Sequence, residues 1–187
     1  MPPRLFLWLL LGLAQLVAPT WLVLQEELTL TQGHLHLFRL APVDPTDPFR
    51  GRYMTLAFDA ESTHYALSLP QPTENSCPLY AGVRRDPDGF SSLTTLSLTP
   101  PLGDYLEIPA DHWSYWWKEK NTVRLQLPFR RFYLNENKAA SVEQRARDLL
   151  AEARKKGEKS DINAAVRVRE GHATIIDLRA PDGTRLK

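Results

Sequence analysis

Apolar residues follow two regimes along this chain. Residues 5–24 read LFLWLLLGLAQLVAPTWLVL, twenty positions without one charge. A helix of that length spans about 30 Å, the hydrocarbon thickness of a bilayer. Trp8 and Trp21 stand near its ends, where interfacial aromatics belong, while Gln15, Pro19 and Thr20 dilute it. Beyond this run the apolar stretches are short and punctuated by proline, aspartate and glycine, the pattern of a turn-rich β domain. Alternation predicts strands over residues 34–40, 53–58, 65–69, 79–83, 93–98, 105–108 and 123–127. Between the first two, Pro42, Pro45 and Pro48 forbid helix and strand alike.

A helical period returns after Ser141. Ser141 and Gln144 form a capping box, and Val142, Ala146, Leu149, Leu150 and Ala153 recur at helical spacing. Arg154, Lys155 and Lys156 fill the last turn and Gly157 ends it. A hairpin closes the chain, with strands over 165–169 and 173–178 about a Glu170-Gly171 turn. The pattern predicts a transmembrane helix at 1–25, then one α+β domain over 26–187. That domain is mainly antiparallel, barrel- or sandwich-like, with one amphipathic helix.

Length and charge narrow the picture. The chain has 187 residues, room for one domain and an appendage. A cleaved signal peptide competes with the anchor, but Leu16 and Pro19 around Ala18 are poor cleavage flanks. Arg4 precedes the run and Glu26 and Glu27 follow it, so the positive-inside rule puts the N-terminus in the cytoplasm and residues 25–187 outside. Lys and Arg total 23 against 22 for Asp and Glu, a balance that argues against nucleic acid as a partner. Cys77 stands alone, which excludes an internal disulfide framework and a cysteine-rich zinc site. Its turn context reads as a half-buried thiol.

Candidate chemistry is sparse. There is no phosphate loop, nucleophile elbow, HExxH or CxxC. His34 and His36 share one strand face and could share a metal. No acidic or cysteine residue lies near them in sequence, so a solvated strand face is the simpler reading and no metal or cofactor is assigned. His112 beside Asp111, Ser91 with Ser92, and Glu136 are the pieces a hydrolase would have to bring together. The aromatics Trp113, Tyr115, Trp116 and Trp117 can pack, recognise a partner, line a ligand pocket or rest on headgroups. Four large rings in five residues cannot all face one core.

The most distinctive stretch is 41–58, APVDPTDPFRGRYMTLAF. It resembles the bacterial GDYXXLXY protein family, in which an N-terminal hydrophobic helix precedes a strand, a Pro-Val-Asp-Pro-like segment, an Arg-Gly pair and the naming motif. Here Asp44, Pro45 and Asp47 lead to Arg50, and the motif reads Gly51-Arg52-Tyr53-Met54-Thr55-Leu56-Ala57-Phe58. Gly51, Tyr53 and Leu56 match, whereas Arg52 replaces the aspartate and Phe58 the final tyrosine. Residues 130–136, with Arg131, Tyr133 and Glu136, are similar to the family's second patch. Gly103-Asp104-Tyr105 repeats three letters of the motif, but Ile108 and Ala110 hold its Leu and Tyr places, so the motif is placed at 51–58.

By itself the motif reads as a structural corner entering a strand, with Arg50, Arg52 and Glu136 as a charged patch beside it. The resemblance implies a location and an association rather than a reaction: an inner-membrane protein with a periplasmic domain, encoded beside a multi-pass membrane protein. The expectation is a non-enzymatic accessory or interaction subunit, the alternatives being an envelope hydrolase or a small-ligand-binding domain.

Overall fold

The computed structural model describes residues 3–41, 53–67, 77–117, 121–133, 144–145, 148–149 and 162–186. Helix α1 covers Pro3–Gln32, well past the end of the apolar run at Leu24. Its last turns leave that composition behind, and Thr29 is buried against the domain. The Gly33 N–H donates to the Thr29 carbonyl at 3.0 Å and closes the helix. A Cβ on Gly33 would lie 2.4 Å from that carbonyl oxygen and 3.1 Å from that of Val168, so only glycine lets the chain turn straight into a strand here.

That strand, β1 (His34–Arg39), pairs antiparallel with β10 (Asn163–Arg169), from His34↔Val168 to Arg39↔Asn163. β10 turns into β11 (His172–Arg179) through Glu170 and Gly171, with φ 47° and 87°, the left-handed pair that a two-residue hairpin requires. A second ladder pairs β2 (Tyr53–Thr55) with β9 (Arg131–Tyr133). In a third sheet β3 (Tyr65–Ala66) and β7 (Trp113–Trp117) flank β8 (Thr122–Leu125). In the fourth, β5 (Ser91–Ser97) and β6 (Tyr105–Ile108) flank β4 (Leu79–Arg85).

Every ladder is antiparallel. Single bridges at Leu40↔Phe58, Leu67↔Leu96 and Leu106↔Gly171 connect one small sheet to the next. The architecture is α+β, but these short sheets stand edge to corner around a shared core and do not close into a barrel. At the centre Phe38, Phe58 and Phe129 pack ring against ring, with centroids 5.3–6.3 Å apart.

One buried charge ties the motif strand to the far side of the core. Glu61 lies in a 3-10 turn, Asp59–Ser62, just after that strand. Its Oε1 accepts from the Leu127 N–H at 2.8 Å and forms an ion pair with Arg130, whose Nε lies 3.4 Å away, and its Oε2 accepts from the Phe58 N–H at 3.4 Å. A carboxylate with these partners satisfies donors that the core would otherwise strand.

Two strands were not anticipated. β7 was hidden in the aromatic cluster, and β9 is the middle of the second family patch. Of the helix expected after Ser141, Gln144, Arg145, Asp148 and Leu149 are helical, with Gln144 Nε2 donating to Asp148 at 3.0 Å and Leu149 packed on the core. Its remainder lies outside the described residues.

Among the described residues no helix is long and apolar enough to cross a membrane. The apolar run of α1 also includes residues 5–7 and Leu9, whose side chains fall outside that set.

Replacing the buried carboxylate tests its role. Glu61→Gln puts an amide nitrogen against backbone donors, and should cost roughly 2–3 kcal/mol in a denaturant melt, the worth of a charge-assisted bond set. An exposed control, Glu107→Gln, should change stability by no more than about 0.5 kcal/mol.

Candidate functional site

The family-like motif and the second patch meet. The Leu56 N–H donates to the Arg130 carbonyl at 2.7 Å, Arg130 Nε donates back to the Leu56 carbonyl at 3.3 Å, and the ladder runs on through Thr55↔Arg131 and Tyr53↔Tyr133. Strand alternation then divides the labour. Met54, Leu56 and Phe58 point into the core, while Thr55, Arg131 and Tyr133 face outward.

That outward face is one wall of a cavity of about 710 Å³. Glu26 from the end of α1, His112 from the turn before β7, and Ala173, Thr174 and Ile175 from β11 complete it, with 126–130 as its floor. Its size lies within the range of small-molecule sites. Thr174 Oγ1 donates to Glu26 Oε1 at 2.8 Å and fixes that carboxylate on the rim. His112 Nδ1 is fully buried and has no hydrogen-bond partner among the described residues.

A second polar cluster lies on the other side of β1. His34 Nδ1 and His36 Nε2 approach the two oxygens of Asp104, at 2.7 and 2.9 Å. A carboxylate only accepts, so both rings donate to it, and the other nitrogen of His36, Nδ1, lies 3.0 Å from the Ser91 hydroxyl. Burial pushes the Asp104 carboxyl up, but the bonds from His34 and His36 and the charge of those rings outweigh it, so it lies below the ordinary carboxylate value.

The two histidines do share a face, as their spacing predicts, but what they share is a carboxylate. Asp104 lies 70 residues from His34, in the Gly103-Asp104-Tyr105 segment, and no local signal pointed to it. Among the described residues no three His, Cys, Asp or Glu side chains are placed to hold a metal.

Of the hydrolase pieces named in the sequence, Glu136 lies outside the described residues and the others do not meet in one pocket. His112 is on the cavity, Asp111 is exposed beside it, and Ser92 donates to Asp86 at 3.1 Å. Ser91 does lie in line with His36 and Asp104. It is buried, and the cavity of about 710 Å³ does not reach it. Ser91, His36 and Asp104 link β5, β1 and the approach to β6.

The aromatic cluster divides by strand alternation. Trp113 is buried, with its indole N–H donated to the Cys77 carbonyl at 3.1 Å; Tyr115 packs edge-on against it, and Trp116 stacks outside on His64 with centroids 4.5 Å apart. The cavity is not lined by Trp113, Tyr115 or Trp116. The side chain of Trp117 lies outside the described residues, as do Asp44, Pro45, Asp47, Arg50, Gly51, Arg52 and Glu136.

Together these features define an α+β domain of short antiparallel sheets, joined to a long N-terminal helix, whose motif strand has one face in the core and one on a cavity. The family model described as GDYXXLXY protein matches residues 15–178, and the chain belongs to that family. The match takes in both the motif and the second patch. Comparison with curated proteins and with solved structures gives no match.

The lowered pKa of Asp104 carries a sign. Its ionised form is favoured by folding, so its contribution is complete above the unfolded value of about 3.9 and is lost as pH falls through the lower folded value. Asp104→Asn should be less stable than the parent at pH 7, and the gap should close progressively below about pH 4. Paired denaturant titrations across that window measure it.

Proposed function

We propose that this GDYXXLXY protein is a single-pass membrane protein with a cytoplasmic N-terminus. Residues 5–24 form its anchor, and the β domain is an extracytoplasmic, non-enzymatic accessory subunit of a membrane protein complex. The observation that carries this reading is the state of α1. Trp8, Leu13, Val17, Leu22 and Val23 point in different directions around the helix, and each is 65–69% exposed. Pro19 interrupts the run no more than a membrane helix tolerates. A helix that is apolar all round and uncovered cannot stay in water; it needs lipid or apolar protein on every side.

The base of the same helix argues for a fixed domain rather than a tether. Thr29 is buried, and Glu26 is bonded to Thr174. Arg167 Nη1 donates to the Gly33 carbonyl at 2.7 Å. A domain held this tightly at the bilayer surface presents one constant face to a neighbouring membrane protein. An accessory role also fits the burial of Ser91 and the scatter of the other candidate catalytic side chains.

Purification of the tagged chain from its native membrane in mild detergent tests the accessory role. A stoichiometric multi-pass partner should come with it. That partner should be reduced at least about tenfold when residues 5–24 are exchanged for an unrelated apolar helix, which keeps the protein in the membrane but removes its specific face. A chain that emerges alone under several detergents contradicts the subunit reading.

A further inference from the structure

We propose that Gln15 docks α1 onto a transmembrane helix of a multi-pass protein, through a hydrogen bond to an uncharged polar side chain at the middle of the bilayer. The inference rests on the anchor and subunit reading above, and names the face and the chemistry of that contact. Gln15 is the eleventh of the twenty residues 5–24, so it lies about 15 Å from either end of the run. It is exposed, and its carboxamide has no hydrogen bond to a described residue.

Hydrocarbon offers an amide neither donor nor acceptor, so the group is met by another polar side chain or left unpaired at a cost. A neighbouring helix supplies such a side chain. A charge at that depth is costlier still, so the fitting partner is neutral and both donates and accepts: a second carboxamide or a hydroxyl.

The position of the β domain decides whose helix it is. At 3.6 residues per turn, Gln15 shares its face of α1 with Leu22, Glu26, Thr29 and Gly33, all within about 40° of it. Glu26, Thr29 and Gly33 are where the domain seats: Glu26 accepts from Thr174, Thr29 is buried, and Gly33 abuts Arg167 and Val168. The domain therefore overhangs the Gln15 face. Packed helices lie about 8–10 Å apart, and a twofold pair of copies joined at Gln15 would force two domains into that gap. A helix that ends in a short loop at the bilayer surface fits beneath the domain, and multi-pass proteins present such helices.

The test uses the full chain in its native membrane. p-Benzoylphenylalanine at Leu11, Ala18 or Leu22, on the Gln15 face, should cross-link to another integral membrane protein on irradiation. The yield should be at least about fivefold above that from Leu13, Val17 or Leu24, on the opposite face. Gln15→Leu should lower recovery of that same protein in mild detergent at least about fivefold, whereas Gln15→Asn, which keeps the carboxamide, should retain most of it. Gln15→Leu makes the run more apolar, so the loss does not come from failed insertion, and an alkaline wash checks that both variants stay in the membrane.

Recovery unchanged by Gln15→Leu overturns the proposal and leaves the anchor and the subunit reading standing. Cross-links spread evenly round the helix overturn it too, as does a cross-link from Leu22 to a second copy of this chain. Release of the parent chain by the alkaline wash overturns the anchor and this inference together.

Discussion

A helix that is apolar on every side imposes the governing constraint on this molecule. Among the described residues, Trp, Leu and Val side chains between Trp8 and Leu24 are uncovered all round the helix. Burying even half of that surface at about 25 cal/mol per Å² outweighs any single contact within the domain. The domain accordingly spends its contacts on the base of α1. Gly33 allows the helix to run directly into β1, Arg167 caps the junction, and Thr174 holds Glu26. Helix and β1–β10–β11 sheet are thereby one mechanical piece.

Within the domain the family motif is the organising strand. Its inward residues, Met54, Leu56 and Phe58, make core, and Phe58 belongs to the three-ring cluster with Phe38 and Phe129. Its backbone pairs with the second patch, and Glu61 locks the two together through Leu127 and Arg130. The outward positions of the same ladder, Thr55, Arg131 and Tyr133, then become a cavity wall facing the helix base. One short ladder thus couples the stability of the core to the shape of the site.

Much of this was legible beforehand because period and punctuation are local. The 105–108 strand, the Glu170-Gly171 turn and the alternation of Val166 and Val168 with Arg167 and Arg169 follow from side-chain sequence alone. The expected barrel-like closure is not found, since sheet closure depends on pairings between distant strands that no local pattern reveals. The partner of His34 and His36 was hidden for the same reason: only the fold carries Asp104 to them. Within 113–117, composition advertised aromatics and masked a strand whose buried member is Trp113. The cavity draws on α1, the motif strand, the turn at His112 and β11, and no sequence window contains more than a fragment of it.

The central claim is that residues 5–24 lie in the bilayer with the β domain on its outer side. Protease treatment of sealed bacterial spheroplasts bearing the chain, tagged at each end, measures this directly. Digestion should remove the C-terminal tag without lysis, leaving a small N-terminal fragment that stays with the membrane after an alkaline wash. A C-terminal tag protected until lysis would contradict the orientation, and release of the intact chain by the alkaline wash would contradict the anchor itself.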